Sequence, residues 1–135
     1  MEILKRWCLA LLLSAAVPPA WAQEGRGDVV YVPTPQVVVD EMLRMVKMQA
    51  SDFVIDLGSG DGRIIITAAK SYGARGFGVD LDTVLLARAR ENARKAGVAD
   101  RVQFVEQNLF ETDLSKATVI TTYLLPEMNE RLRPK

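Results

Sequence analysis

The chain has 135 residues, 49% of them apolar, with 17 basic and 17 acidic side chains and no net charge; this suits one small domain with one core and leaves no broad electrostatic footprint for nucleic acid or an anionic membrane. It contains no histidine and a single cysteine, Cys8. A Ser-His-Asp relay and the usual zinc ligand sets are therefore excluded, and the available chemistry is that of carboxylates, hydroxyls, lysines, backbone groups and a bound cofactor.

Residues 1–22 read as a secretory signal peptide: Lys5 and Arg6 precede an apolar run from Trp7 to Val17, and Ala20-Trp21-Ala22 sets small residues at the −3 and −1 positions of a cleavage site. The run is well short of the ~20 residues that span a bilayer, so no stable membrane span is expected. Cys8 lies at the start of the run and not after it, and so is not placed as a lipid-attachment cysteine. Cleavage would leave a chain starting at Gln23, with 15 basic and 16 acidic groups once Glu2, Lys5 and Arg6 are gone and with no cysteine at all. The expected location is periplasmic or secreted.

Residues 23–30 form a polar, glycine-containing leader in which the Arg26-Gly27-Asp28 triplet is chance composition. Thr34 as N-cap and Pro35 in the first turn then predict a helix. Its apolar face is Val38, Val39, Met42, Leu43, Met45 and Val46, with Met42, Met45 and Met48 expected to pack in the core.

Residues 53–57 are a short apolar run, predicted as a strand, and Ile64, Ile65, Ala68 and Ala69 recur at helical spacing over residues 63–72. Between them lies Asp56-Leu57-Gly58-Ser59-Gly60-Asp61-Gly62-Arg63, a glycine turn from strand to helix of the kind on which α/β proteins bind nucleotide-like ligands. A dinucleotide fold asks for G-x-G-x-x-G; here the third glycine comes one residue early and Arg63 stands in its place. Gly73 ends the helix, and residues 76–82 read as a second strand carrying Asp80, 18 residues after Gly62, near the interval that sets a carboxylate against the vicinal hydroxyls of a ribose.

Residues 82–95 predict a helix with Leu85, Leu86, Ala89 and Ala93 toward the sheet and Arg88, Glu91, Arg94 and Lys95 outward, ended by Gly97. A third strand follows at 101–106, a short crossover at 110–114, a fourth strand at 117–124 whose apolar and β-branched run suits a buried parallel strand, and a last helix from Pro126. Alternation of this kind predicts an α/β domain over residues 31–135, a parallel sheet with helices on both faces.

The glycine motif at Asp56 to Gly62 and the acid at Asp80 resemble the class I S-adenosylmethionine-dependent methyltransferases. With Tyr31-Val32-Pro33-Thr34-Pro35, the extension through Arg63-Ile64, and Ala117-Thr118-Val119-Ile120-Thr121-Thr122-Tyr123-Leu124-Leu125-Pro126, the chain is similar to the mitochondrial ATP-synthase c-subunit lysine methyltransferases and their bacterial relatives. The resemblance implies a Rossmann-like class I methyltransferase fold of which only about the first four of seven strands are present, with an unfinished edge open to self-association. It implies S-adenosyl-L-methionine as cofactor and a protein lysine as methyl acceptor.

On that resemblance the amides of Gly58, Ser59, Gly60 and Gly62 would lie near the methionine carboxylate, and Asp56 would orient the turn and meet the amino group. Asp80 would hold the ribose, with Leu81 beside it, and the amide oxygen of Asn108 would accept from the adenine. Tyr31 and Thr34 would close over the cofactor. Tyr123, helped by Thr121 and Thr122, would orient the acceptor nitrogen. A cofactor-binding fragment without activity remains the alternative, and a nicotinamide-binding domain is disfavoured by Arg63.

Overall fold

The computed structural model describes residues 31–133; the signal segment and leader expected at 1–30 lie outside them. Nine elements follow in order: α1 Gln36–Met45, β1 Phe53–Leu57, α2 Arg63–Tyr72, β2 Arg75–Asp80, α3 Thr83–Lys95, β3 Val102–Glu106, a 3₁₀ turn Leu109–Glu111, β4 Val119–Thr122 and α4 Pro126–Leu132.

The four strands are parallel in the order β3-β2-β1-β4. The chain builds outward from β1 through β2 to β3 and then crosses back to β4 on the other side of β1. This reversal opens a crevice at the carboxyl ends of β1 and β4, the place where open α/β sheets bind ligands. Register aligns Asp56 with Gly78 on one side and Thr121 on the other, and Leu57 with Val79 and Thr122.

One face of the sheet is covered by three helices. Val39 and Leu43 of α1, Ile64, Ile65 and Ala68 of α2, and Leu86, Ala89 and Ala93 of α3 form one core with Val54, Val102 and Phe104. The local chemistry explains the helix limits. The Asp82 carboxylate accepts from the Val84 and Leu85 amides at 2.9 and 3.1 Å and caps α3. At the end of α2 the Gly73 amide returns to the Ala69 carbonyl at 3.0 Å.

The second face is thinner than the alternating pattern suggests. Ile55, Leu57 and Val79 are buried there, under half-buried Phe53, Phe77, Leu109, Leu114, Ala117 and Leu132. Only the 3₁₀ turn and α4 supply helical cover among the described residues.

Three expectations are corrected. Thr34 does not cap α1: the helix starts one residue later, on Pro35, whose carbonyl takes the Val38 and Val39 amides, and no side chain caps it. Met45 and Val46 are 69% and 49% exposed, because α1 buries Val39 and Leu43 and half-buries Met42, while Lys47 at φ 51° turns the chain so that Met48 enters the core. The fourth strand is not buried on both sides: β4 is an edge among the described residues and Ile120 is 46% exposed.

Candidate functional site

A cavity of about 340 Å³ lies at the carboxyl ends of the strands, walled by the loop after β1, the segment before α1, the loop after β2, the 3₁₀ turn and the start of α4. Gly58, Gly60 and Gly62 all have positive φ, at 79°, 53° and 82°. At Gly62 the need is double: a Cβ there would come within 2.5 Å of Phe104 and 3.0 Å of Ala89, so the residue lets α2 approach β3 and α3. Gly62 itself does not reach the cavity, whereas Gly58, Ser59 and Gly60 do.

The four amides expected to cradle the cofactor carboxylate are spent inside the protein. The Gly58 and Ser59 amides both donate to the Val79 carbonyl at 2.9 Å, the Gly62 amide to the Ser59 carbonyl at 2.9 Å, and the Gly60 amide to Asp80 Oδ2 at 2.9 Å. Asp80, not Asp56, therefore orients the turn. Its Oδ1 takes the Asp82 amide at 3.0 Å, and the carboxylate lines the cavity with further acceptor capacity on both oxygens.

Asp56 lies at the end of β1, fully buried yet at the cavity wall. Thr121 Oγ1 donates to its Oδ1 at 2.7 Å, while Oδ2 has no partner among the described residues. Burial pushes its pKa up to about 7 against the Thr121 hydrogen bond, and the carboxylates of Asp80 and Asp61 add to the rise. A buried acceptor without a donor is costly, and a ligand ammonium in the cavity would satisfy it. The Ser59 hydroxyl is likewise buried at the wall with no partner among the described residues.

Arg63 carries a role that spacing alone does not reveal. Its guanidinium forks onto Asp61, with Nε 3.0 Å from Oδ1 and Nη2 2.6 Å from Oδ2, and its Nη1 donates to the Thr34 carbonyl at 2.8 Å. Burial pushes the Asp61 carboxyl up, but Arg63, helped by the Tyr31 hydroxyl, holds it below the ordinary value. Burial and the Asp61 charge push Tyr31 above its own. The Tyr31 ring covers Gly60, where a Cβ would sit 2.5 Å from Cε2. Tyr31 and Thr34 are thus fastened over the loop, and both line the cavity.

The structure brings Leu81, Asn108 and Tyr123 to the same cavity, Leu81 half exposed and Tyr123 45% exposed. The Asn108 amide oxygen accepts from the Phe110 amide at 2.9 Å and so caps the 3₁₀ turn. Thr121 and Thr122 do not line the cavity, and Thr121 is bonded to Asp56 instead of facing an acceptor. Leu85, Phe110, Leu124, Met128 and Arg131 also line the cavity, as do Asp61 and Arg63. Arg131 stacks 4.1 Å from the Phe110 ring centre, a contact between α4 and the 3₁₀ turn with no local signature.

A parallel sheet reversing at β1, a glycine loop into α2 and an acid at the end of β2 define the class I S-adenosylmethionine-dependent methyltransferase fold. A solved structure described as an RNA methyltransferase from Salinibacter ruber in complex with S-adenosyl-L-homocysteine has 55% sequence identity to this chain and TM-score 0.75, covering 76% of this chain and 67% of that one. The chain belongs to the family of the ANTKMT methyltransferase domain, which it matches over residues 56–135. A protein-lysine N-methyltransferase of Saccharolobus islandicus is 48% identical over 78% of this chain and 66% of its own length. The ATP-synthase c-subunit lysine N-methyltransferase of Xenopus laevis is 32% identical over 78% of this chain and 46% of its own. The chain thus spans about half to two thirds of these curated relatives.

Proposed function

We propose that the chain is an S-adenosylmethionine-dependent methyltransferase that acts on a protein lysine. The observation that carries this reading is the pair of acids on adjacent strand ends: Asp80 and Asp56 turn into one cavity, and Asp56 Oδ2 lacks a donor among the described residues. Asp80 would take the ribose hydroxyls and Asp56 the ammonium group. Leu81 and Asn108 would flank the adenine, Gly58, Ser59 and Gly60 would form the floor, and Tyr31 and Thr34 the cover. The cofactor, when bound, supplies an electrophilic methyl group on sulfur.

The chain's part is to place a neutral amine in line with that methyl and to exclude water. Tyr123, which lines the cavity and is 45% exposed, would orient the acceptor nitrogen, and the apolar Leu81, Leu124 and Met128 of the same cavity would favour the uncharged amine. Two relatives named as lysine methyltransferases support a protein acceptor. So does the balanced charge, since RNA binding draws on a basic surface.

The alternative is a cofactor-binding half-domain without turnover; β4 is a sheet edge among the described residues, with Ile120 46% exposed. Titration of the full chain with S-adenosylhomocysteine, beside circular dichroism, separates the readings when followed by transfer of labelled methyl to protein and detection of N-methyllysine. Micromolar binding with transfer supports the enzyme, binding without transfer supports the half-domain, and a folded chain that does not bind refutes both. The same open edge supports self-association by strand pairing, read by sedimentation velocity. Residues 1–22 support export, and an intact Met1 on exported protein would refute cleavage.

A further inference from the structure

We propose that Thr121 is a positioning residue for the cofactor acid: its hydroxyl fixes the Asp56 carboxylate so that Oδ2 faces the amino group of the bound cofactor. The inference rests on the cofactor reading above and changes the role of Thr121 from acceptor helper to a tie between β4 and the cofactor side of the cavity.

The geometry leaves Thr121 little else to do. It stands directly opposite Asp56 in the β1–β4 register and is 5% exposed. Its hydroxyl is 2.7 Å from Oδ1, and it is not part of the cavity wall that Asp56 reaches. A hydroxyl has one proton to donate. By engaging Oδ1 it settles the rotation of the carboxylate and leaves Oδ2 as the oxygen available to a ligand.

Thr121 also decides the charge available there. The charged groups acting on Asp56 are Asp80 from the end of β2 and Asp61 from the glycine loop, both of which disfavour ionisation, as does burial. Arg63 at the start of α2 is turned to Asp61 and Thr34. Of the interactions acting on Asp56, only the Thr121 hydrogen bond favours its ionised form. Burial pushes Asp56 up to about 7, so an ammonium ligand is held more tightly as pH rises through that value, and loss of the hydroxyl moves the midpoint upward.

The test is titration of the full chain and its Thr121→Val variant with S-adenosylhomocysteine and with 5′-methylthioadenosine, which shares the adenosine part but has no amino group. At pH 7 the variant should bind S-adenosylhomocysteine about tenfold more weakly, the scale of one hydrogen bond to a charged group, and 5′-methylthioadenosine unchanged. The S-adenosylhomocysteine loss should shrink by pH 8.5, and Thr121→Ser should restore wild-type affinity. Equal losses for both ligands, or a loss independent of pH, would overturn the proposal by making Thr121 merely structural. Should the valine variant not fold, Thr121→Ala serves as the donor-free chain. A folded wild type that binds neither ligand instead removes the cofactor reading, and this inference with it.

Discussion

Replacing Arg63 by alanine should release the segment that covers the glycine loop. The side chain supplies a two-point fork to Asp61 at 3.0 and 2.6 Å and a third hydrogen bond to the Thr34 carbonyl at 2.8 Å. Hydrogen bonds to charged groups contribute about 1.5–3 kcal/mol each when sheltered. With side-chain exposures of 32% and 13% the ion pair is partly screened, so the three contacts together are set at about 2 kcal/mol. That corresponds to a roughly 30-fold rise in local opening. Hydrogen exchange should show it over residues 31–39 and leave α3 unchanged. The pH dependence has a fixed sign. Arg63 holds the folded Asp61 below its ordinary value, so the stabilisation is present above the unfolded pKa near 4 and lost as pH falls through the depressed folded value. The gap between wild type and variant should therefore narrow in acid. Identical exchange at pH 7, or a gap that does not narrow in acid, would refute the reasoning.

Gly62→Ala should lower stability by about 2–5 kcal/mol, adding the cost of a left-handed backbone to that of overpacking against Phe104 at 2.5 Å; thermal unfolding measures it, and Phe104→Leu in the same chain should restore part of the loss. Asp80→Ala should weaken S-adenosylhomocysteine binding at least tenfold, about 1.4 kcal/mol, and unchanged affinity removes Asp80 from the ribose role. Tyr123→Phe should lower turnover and spare cofactor affinity, since the ring still fills its place while the hydroxyl is gone; equal loss of both would make the residue structural.

Much of the scaffold is legible because each element carries its own local chemistry. The limits of β1 and α2 follow from the change of apolar period across Gly58–Gly62 and from Gly73, and those of α3 from Asp82 and Gly97. Where the local pattern misleads, a distant partner intervenes. Thr34 has the side chain of an N-cap, yet its carbonyl is claimed by Arg63 from 29 residues away and the helix starts on Pro35. Asn108 has the amide oxygen of an adenine acceptor, but that oxygen also closes a turn onto Phe110. The glycine turn suggests free amides, and the β1–β2 register instead brings the Val79 carbonyl and Asp80 to them.

The sequence by itself determined the elements, the place of the glycine turn and the acids that face it, because strand and helix periods and the need for positive φ act over a few residues. Only the tertiary structure decided what those groups do. Asp56 gains its shifted titration from burial, against the hydrogen bond from Thr121, 65 residues away, and Arg63 becomes a fastening only when α2 and the segment before α1 are packed together. Burial and long-range hydrogen bonds depend on which strands lie side by side, and no local pattern records that order.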